Sequence, residues 1–188
     1  MAAVARAGRY GVRLGIDGPV GADTTSVADD VTGLLRDAGL AVVRASKQGF
    51  VRPRSIRLEH GDDPDAPYER WYDDAGLRRE LLDPLAPGGT LGVVDALWDV
   101  ASDRATRRPR RVMPPGTVAV VDGPFLLRWE LADAFDLVAH LQASPAAITR
   151  RGGPVASWAR YLDEVDPAAR AGVVVRHDDP RHPAVARR

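Results

Sequence analysis

Between Leu14 and Ser26 the chain reads LGIDGPVGADTTS, an apolar run that meets a glycine-rich turn and then a helix-forming stretch. A strand, a glycine turn and a helix in immediate succession make the backbone N–H groups of the turn and helix start converge on one point. That is how the pattern G-x-x-x-x-G-K-[ST] cradles phosphates, with its Lys on the terminal phosphates and its last hydroxyl on Mg²⁺. With Gly18 as the first Gly, Thr25 takes the hydroxyl position, Asp23 replaces the second Gly and Thr24 replaces the Lys. A side chain at the second-Gly position hinders close approach of the backbone to a phosphate. Like charges about 4 Å apart cost on the order of 4 kcal/mol at an effective dielectric of roughly 20. Asp17, Gly18, Gly21, Thr24 and Thr25 are thus the remnant of a phosphate loop, and ATP is expected to bind it poorly. Taken alone, these residues favour a plain strand–turn–helix crossover with glycines for packing.

The chain around this stretch predicts a doubly wound α/β sheet. Val12–Ile16 suits a buried strand, and Val27, Val31, Leu34, Leu35 and Ala38 recur at helical spacing before Gly39. Leu40–Ala45 reads as the second strand, so a right-handed crossover makes the pair parallel. Ser46–Pro67 is a long polar connection at a strand's carboxyl end, where such sheets hold ligands. Tyr68–Leu82 is expected to be one helix, Leu91–Val100 a strand, and Asp103–Pro115 a connector whose arginines form a solvated face. Val118–Val121 is the plainest buried strand and ends in Asp122-Gly123. An acid there suits Mg²⁺ or its water, although Asp-Gly is also ordinary turn chemistry. Pro124–Ala134 is expected to be helical, Leu137–Leu141 a strand, and Pro145–Arg150 and Ala156–Glu164 helices. Val173–Val175 closes the set, with a loose tail from His177.

Several classes of function are disfavoured by composition. Lys and Arg together number 26 and so do Asp and Glu, giving a formal net charge of zero. Neither nucleic acid nor an anionic membrane finds an electrostatic footprint in that balance. No apolar run approaches the roughly 20 residues of a membrane span. The start, MAAVARAGRY, has no apolar core of signal-peptide type, so a cytoplasmic protein is expected. The absence of cysteine removes disulfides, thiolate metal sites and a Cys nucleophile, and no metal ligand set is predicted.

Five collinear stretches resemble the uridine kinase family of P-loop nucleoside kinases, especially its compact bacterial branch: GIDGPVGADTTSVAD, ASKQGFVRPRS, YERWYDDAGLRRELLDPLAPGG, VAVVDGPFLLRWELADAFDL and YLDEVDPAARAGVVVRHDDP. The resemblance implies a single P-loop NTPase-like domain over residues 11–180, a doubly wound parallel sheet with flanking helices. Residues 1–10 form an N-terminal extension and residues 181–188 a C-terminal tail. It also implies phosphoryl transfer from Mg-ATP to a nucleoside 5′-hydroxyl. The departures fall where that chemistry would occur. The loop Lys is Thr24; the catalytic Asp of the branch's A-S-[IV]-D-G-F-H-R-P-R is Gln48; the following His is Val51; and the Arg-bearing lid before Tyr161 is shortened, with Arg150, Arg151 and Arg160 nearby. An amide cannot act as a base.

Phe50, Arg52, Arg54, Tyr68, Tyr72 and Asp73 stand where the family forms its nucleoside side, against the plainer alternative of core aromatics and surface ion pairs. Lys47, the only lysine, is expected either to point at the phosphate loop or to be solvated at the strand end. Three functions remain open. One is a catalytically degenerate nucleoside kinase-like protein that binds a nucleoside-like, anionic or other small ligand, or a protein partner, without ATP-dependent phosphorylation and with no cofactor. Another is a repurposed biosynthetic enzyme, with Asp23, Lys47, Asp73, Asp122 and His60 as acid–base candidates. The third is an active kinase using Mg-ATP, in which Lys47 replaces the loop Lys and Asp17 or Asp122 the base. Homo-oligomerisation is expected only by analogy with the family.

Overall fold

A computed structural model of the chain describes residues 10–59, 61, 63–179 and 183–186. The strands are β1 (Val12–Asp17), β2 (Val42–Ser46), β3 (Gly92–Val93), β4 (Trp98–Asp99), β5 (Arg104–Ala105), β6 (Arg111–Val112), β7 (Val118–Gly123), β8 (Leu137–Gln142), β9 (Val173–Arg176) and β10 (Ala184–Ala186). Six of them form the main sheet in the order β10-β9-β8-β1-β7-β2. All its neighbours are parallel except β10, which runs antiparallel to β9. β1 lies inside the sheet, between β7 and β8, as a doubly wound parallel sheet requires.

Both faces of the sheet are covered, which is why β7 reads as an uninterrupted apolar run. Side chains alternate along it. Val118 and Val120 pack with Val12, Ile16 and Ala28 of helix Thr24–Asp37 on one face. Ala119 and Val121 pack with Leu77, Leu81, Leu82, Leu126 and Leu131 on the other. That second face continues under β8 as Val138, Ile148, Trp158, Tyr161 and Val174, with helix Val155–Val165 supplying the tryptophan and tyrosine.

Five expectations are corrected. Tyr68–Leu82 is not one helix but Ala66–Glu69, Asp74–Leu77 and a wide turn over Arg78–Leu82. It is interrupted because Arg52 N donates to Trp71 O and Asp73 N to Phe50 O, pairing Val51 with Tyr72. Pro124–Ala134 forms only a short turn of helix at Ala132–Ala134, because Phe125 takes a φ of 63° and turns the chain into the core. Leu91–Val100 is two short strands, β3 and β4, paired with β6 and β5. The tail supplies β10 and is not loose over Ala184–Ala186. Within the first helix, Ala28 and Thr32 are the buried positions and Leu34 is 71 % exposed, so the apolar stripe is narrower than its spacing implied.

Candidate functional site

The carboxyl ends of β1, β2 and β7 converge where the turn Gly18–Asp23 enters helix Thr24–Asp37, at the crevice expected for such a sheet. Gly21 holds a φ of 87°, and an added Cβ would fall 2.7 Å from Arg151 Cβ. Asp23, at the position of the motif's second Gly, takes a left-handed φ of 55° that Asp tolerates better than most residues. Its carboxylate accepts from the Ser26 hydroxyl at 2.7 Å and caps no backbone N–H of the helix. Asp122, buried at the end of β7, accepts through Oδ2 from Thr24 at 3.1 Å and Thr25 at 2.9 Å. Its Oδ1 lies 2.7 Å from Arg44 Nη1, an ion-pair approach without hydrogen-bond alignment. Arg44 in turn pairs with Asp29 at 2.8 Å.

A cavity of about 200 Å³ opens at this turn, and among the described residues its lining contains Asp23 and Asp122 but no lysine or arginine. A Mg²⁺ ion on Asp122 would compete with the Arg44 guanidinium at Oδ1, whereas the Thr25 hydroxyl, donating to Oδ2, keeps lone pairs for such an ion. Gln48, at the family's catalytic-Asp position, lines the same cavity and donates through its amide to the Tyr72 hydroxyl at 3.1 Å.

Asp17 does not face this turn's ligand side. Its Oδ1 accepts from Leu126 N at 2.9 Å, and its Oδ2 from Tyr161 OH at 3.0 Å and from His140 Nδ1 at 2.7 Å. Tyr161 OH also accepts from Leu127 N at 3.0 Å. Burial, reinforced by the Asp17 charge, pushes the Tyr161 phenol well above its usual range. The imidazole of His140 lies parallel to the Trp158 ring, with centroids 5.9 Å apart.

Lys47 is neither at the phosphate loop nor solvated: it is 0 % exposed. Its ammonium stands 2.8 Å from Asp74 Oδ1 and over the Tyr72 and Phe125 rings, at 4.8 and 5.9 Å from their centroids. Gly123 permits this, since a Cβ there would lie 2.5 Å from Lys47 Cβ.

The expected nucleoside side divides in two. Phe50, Arg52 and Asp73 line a cavity of about 330 Å³ together with Ile56, Leu97 and Trp98. Tyr68 and Tyr72 are instead core residues packed on Phe125. Burial, then its hydrogen bond to Glu164, raises the Tyr68 phenol to about 12, and burial also raises that of Tyr72. Arg54 touches Asp103 through its backbone N–H and lines none of these cavities. Asp73 Oδ1 accepts from Gly76 N, starting helix Asp74–Leu77. His60 lies outside the described residues.

Of the lid arginines, Arg160 is held by Glu69 and Glu164, away from the turn. Arg151 covers Gly21 and donates to the carbonyls of His177 and Asp178 at 3.1 and 2.8 Å. His177 is buried beside it, and burial, then the Arg151 charge, lowers its pKa. Four residues that matter here were not singled out from the sequence: Arg44, Asp74, His140 and Tyr161. His140 alone carried a signal, a lone titratable side chain inside the apolar run LVAHL.

No family model matches the chain, and no curated protein matches it. Solved structures do. A possible uridine kinase from Bacillus stearothermophilus superposes with a TM-score of 0.73 at 24 % identity, covering 88 % of each chain. A candidate fructose transport system kinase from Silicibacter sp. TM1040 gives 0.60 at 22 % identity, covering 86 % of this chain and 79 % of that one. The likeness establishes the fold, a mostly parallel α/β sheet flanked by helices in one domain. Among the described residues no helix is long and apolar enough to cross a membrane.

Proposed function

We propose that this chain is a kinase-like protein that has lost phosphoryl transfer from ATP and binds a nucleoside-like or other small ligand. One observation carries the reading: among the described residues the cavity at the phosphate turn presents the Asp23 carboxylate and no cationic side chain, and Asp122 is already paired with Arg44. Phosphoryl transfer depends on positioning and on neutralising charge at the transferring group. A cradle of this sign opposes both ATP and the transition state. The residues that an active kinase would need as substitutes are engaged elsewhere, Lys47 with Asp74 and Asp17 with His140, Tyr161 and Leu126. The ligand site retained on the other half of the cleft is the cavity of Phe50, Arg52, Asp73 and Trp98, where an aromatic face, a guanidinium and a carboxylate suit a planar polar molecule.

Calorimetry tests the reading directly. Mg-ATP is expected to give no micromolar binding to the wild-type chain, and Asp23→Gly with Thr24→Lys is expected to create measurable binding without turnover. Micromolar affinity in the wild type that disappears in Thr25→Ala refutes it.

A further inference from the structure

Two opposite charges stand unpaired in the cavity of about 330 Å³ beside the bridge that joins Val51 to Tyr72. Arg52 N donates to Trp71 O and Asp73 N to Phe50 O, so Arg52 and Asp73 are diagonal neighbours across a short antiparallel pair. Side chains alternate along such a pair, which puts both on the face opposite Val51 and Tyr72, and diagonal neighbours stand about 7–8 Å apart. Arg52 donates through Nε to Tyr72 O at 3.4 Å, and Asp73 accepts through Oδ1 from Gly76 N at 2.9 Å. Neither side chain has an ion-pair partner among the described residues. The charges around them are already engaged. Arg57 donates to the Arg52 carbonyl and lies over the Trp71 ring, and Asp103 accepts from Trp98 Nε1 and Arg54 N.

The rest of the lining is largely apolar, with Ile56, Leu97 and Trp98 among it and Ile56 40 % exposed. Arg52 and Asp73 are the charged residues of the lining among the described residues. An uncharged ligand would take water from both charges and pair neither, whereas a simple anion or cation would pair one and be repelled by the other. A zwitterion pairs both. A guanidinium offers parallel N–H donors to a carboxylate, and a carboxylate accepts from an ammonium. In an α-amino acid the two groups hang on one carbon, so the molecule bridges two charges that do not reach each other. The volume lies near the lower bound of the roughly 300–1,000 Å³ of small-molecule sites, which suits one such molecule.

We infer that this cavity binds a free α-amino acid with an apolar side chain. Its carboxylate pairs with the Arg52 guanidinium, its ammonium with Asp73 Oδ2, and its side chain packs on Ile56, Leu97 and Trp98. The inference rests on the reading of this cavity as the retained ligand site and gives that ligand its chemical class.

Calorimetric titration of the full chain with L-leucine, L-phenylalanine and L-tryptophan, their N-acetyl and amide derivatives, and uridine tests it. At least one free amino acid is expected to bind saturably. Its N-acetyl form, which lacks the ammonium, and its amide, which lacks the carboxylate, are each expected to bind about tenfold or more weakly, because a polar site rejects an analogue that leaves its own group unpaired. Arg52→Gln is expected to erase the preference over the amide alone, and Asp73→Asn the preference over the N-acetyl form alone. Arg52 is exposed and Asp73→Asn keeps an acceptor for Gly76 N, so both variants are expected to melt as the wild type does. Derivatives that bind as tightly as the parent overturn the inference, as do preferences that survive both variants. Uridine binding that Arg52→Gln weakens, with no amino acid bound, overturns it while the retained-site reading stands. Silence towards every probe removes the inference and the site together.

Discussion

Removing the carboxylate of Asp74 should be among the most damaging single changes available to this protein. Lys47 has no exposed surface, and Asp74 Oδ1 at 2.8 Å is its one ion-pair partner among the described residues. Over that distance the gross attraction is about 6 kcal/mol at an effective dielectric of roughly 20. The Tyr72 and Phe125 faces add cation–π attraction but carry no countercharge. Asp74→Ala therefore strands a charge in the core and is expected to cost about 3–5 kcal/mol. Lys47→Met should cost less, because the Asp74 side chain is 12 % exposed and retains some hydration. The pair Lys47→Met with Asp74→Leu should be nearly neutral, since replacing both members of a buried pair by apolar groups removes desolvation together with attraction. Urea unfolding with an unchanged denaturant slope measures all three as midpoint shifts. A loss below about 1 kcal/mol in Asp74→Ala would refute the reasoning, as would additive costs in the double variant.

Three further outcomes are expected. Tyr68, raised to about 12 by burial and by Glu164, favours the protonated phenol in the fold; stability from it is complete below the ordinary value of 10.0 and is lost as pH rises through about 12. Unfolding free energies measured across that window should fall less steeply in Tyr68→Phe. His177, depressed by burial and then by Arg151, favours the neutral ring, so its contribution is complete above the ordinary value of 6.5 and declines as pH falls below it. His177→Gln should flatten the stability–pH curve on that acid side, as read by thermal melts. Gly123→Ala, at φ 145° and 2.5 Å from Lys47 Cβ, should cost at least about 2 kcal/mol by denaturant titration.

The sheet was readable because each of its buried strands is a short apolar run bounded by turn residues, and both β1 and β7 end in an acid followed by glycine or at Asp-Gly. Local pattern failed where distant backbone decided the outcome. Nothing near Tyr72 shows that Val51 will pair with it and interrupt a helix. Nothing near Phe125 shows that its ring will be surrounded by Tyr68, Tyr72, Trp158 and Tyr161, which favours a left-handed turn over the helix suggested by Pro124. The phosphate turn was legible as a frame with altered residues, since glycine spacing is a local property. The fate of Lys47 was not, because its burial depends on a carboxylate supplied by a separate helix. Tyr68 and Tyr72 looked like pocket aromatics by position and are core residues by packing.

Asp17 illustrates how inheritance can mislead. Its two oxygens tie the end of β1 to the turn after β7, to β8 and to helix Val155–Val165, four segments brought together by one carboxylate. A lineage that no longer handled phosphate would still be penalised for changing this residue, because the penalty falls on folding. The letters Ile-Asp-Gly at the mouth of the loop would then persist through descent as architecture, long after any chemistry they once accompanied. Gly21 is in the same position, since Arg151 lies against it. The presence of Asp17 and Gly21 in this chain is therefore no measure of phosphate handling, because each is already required by its neighbours.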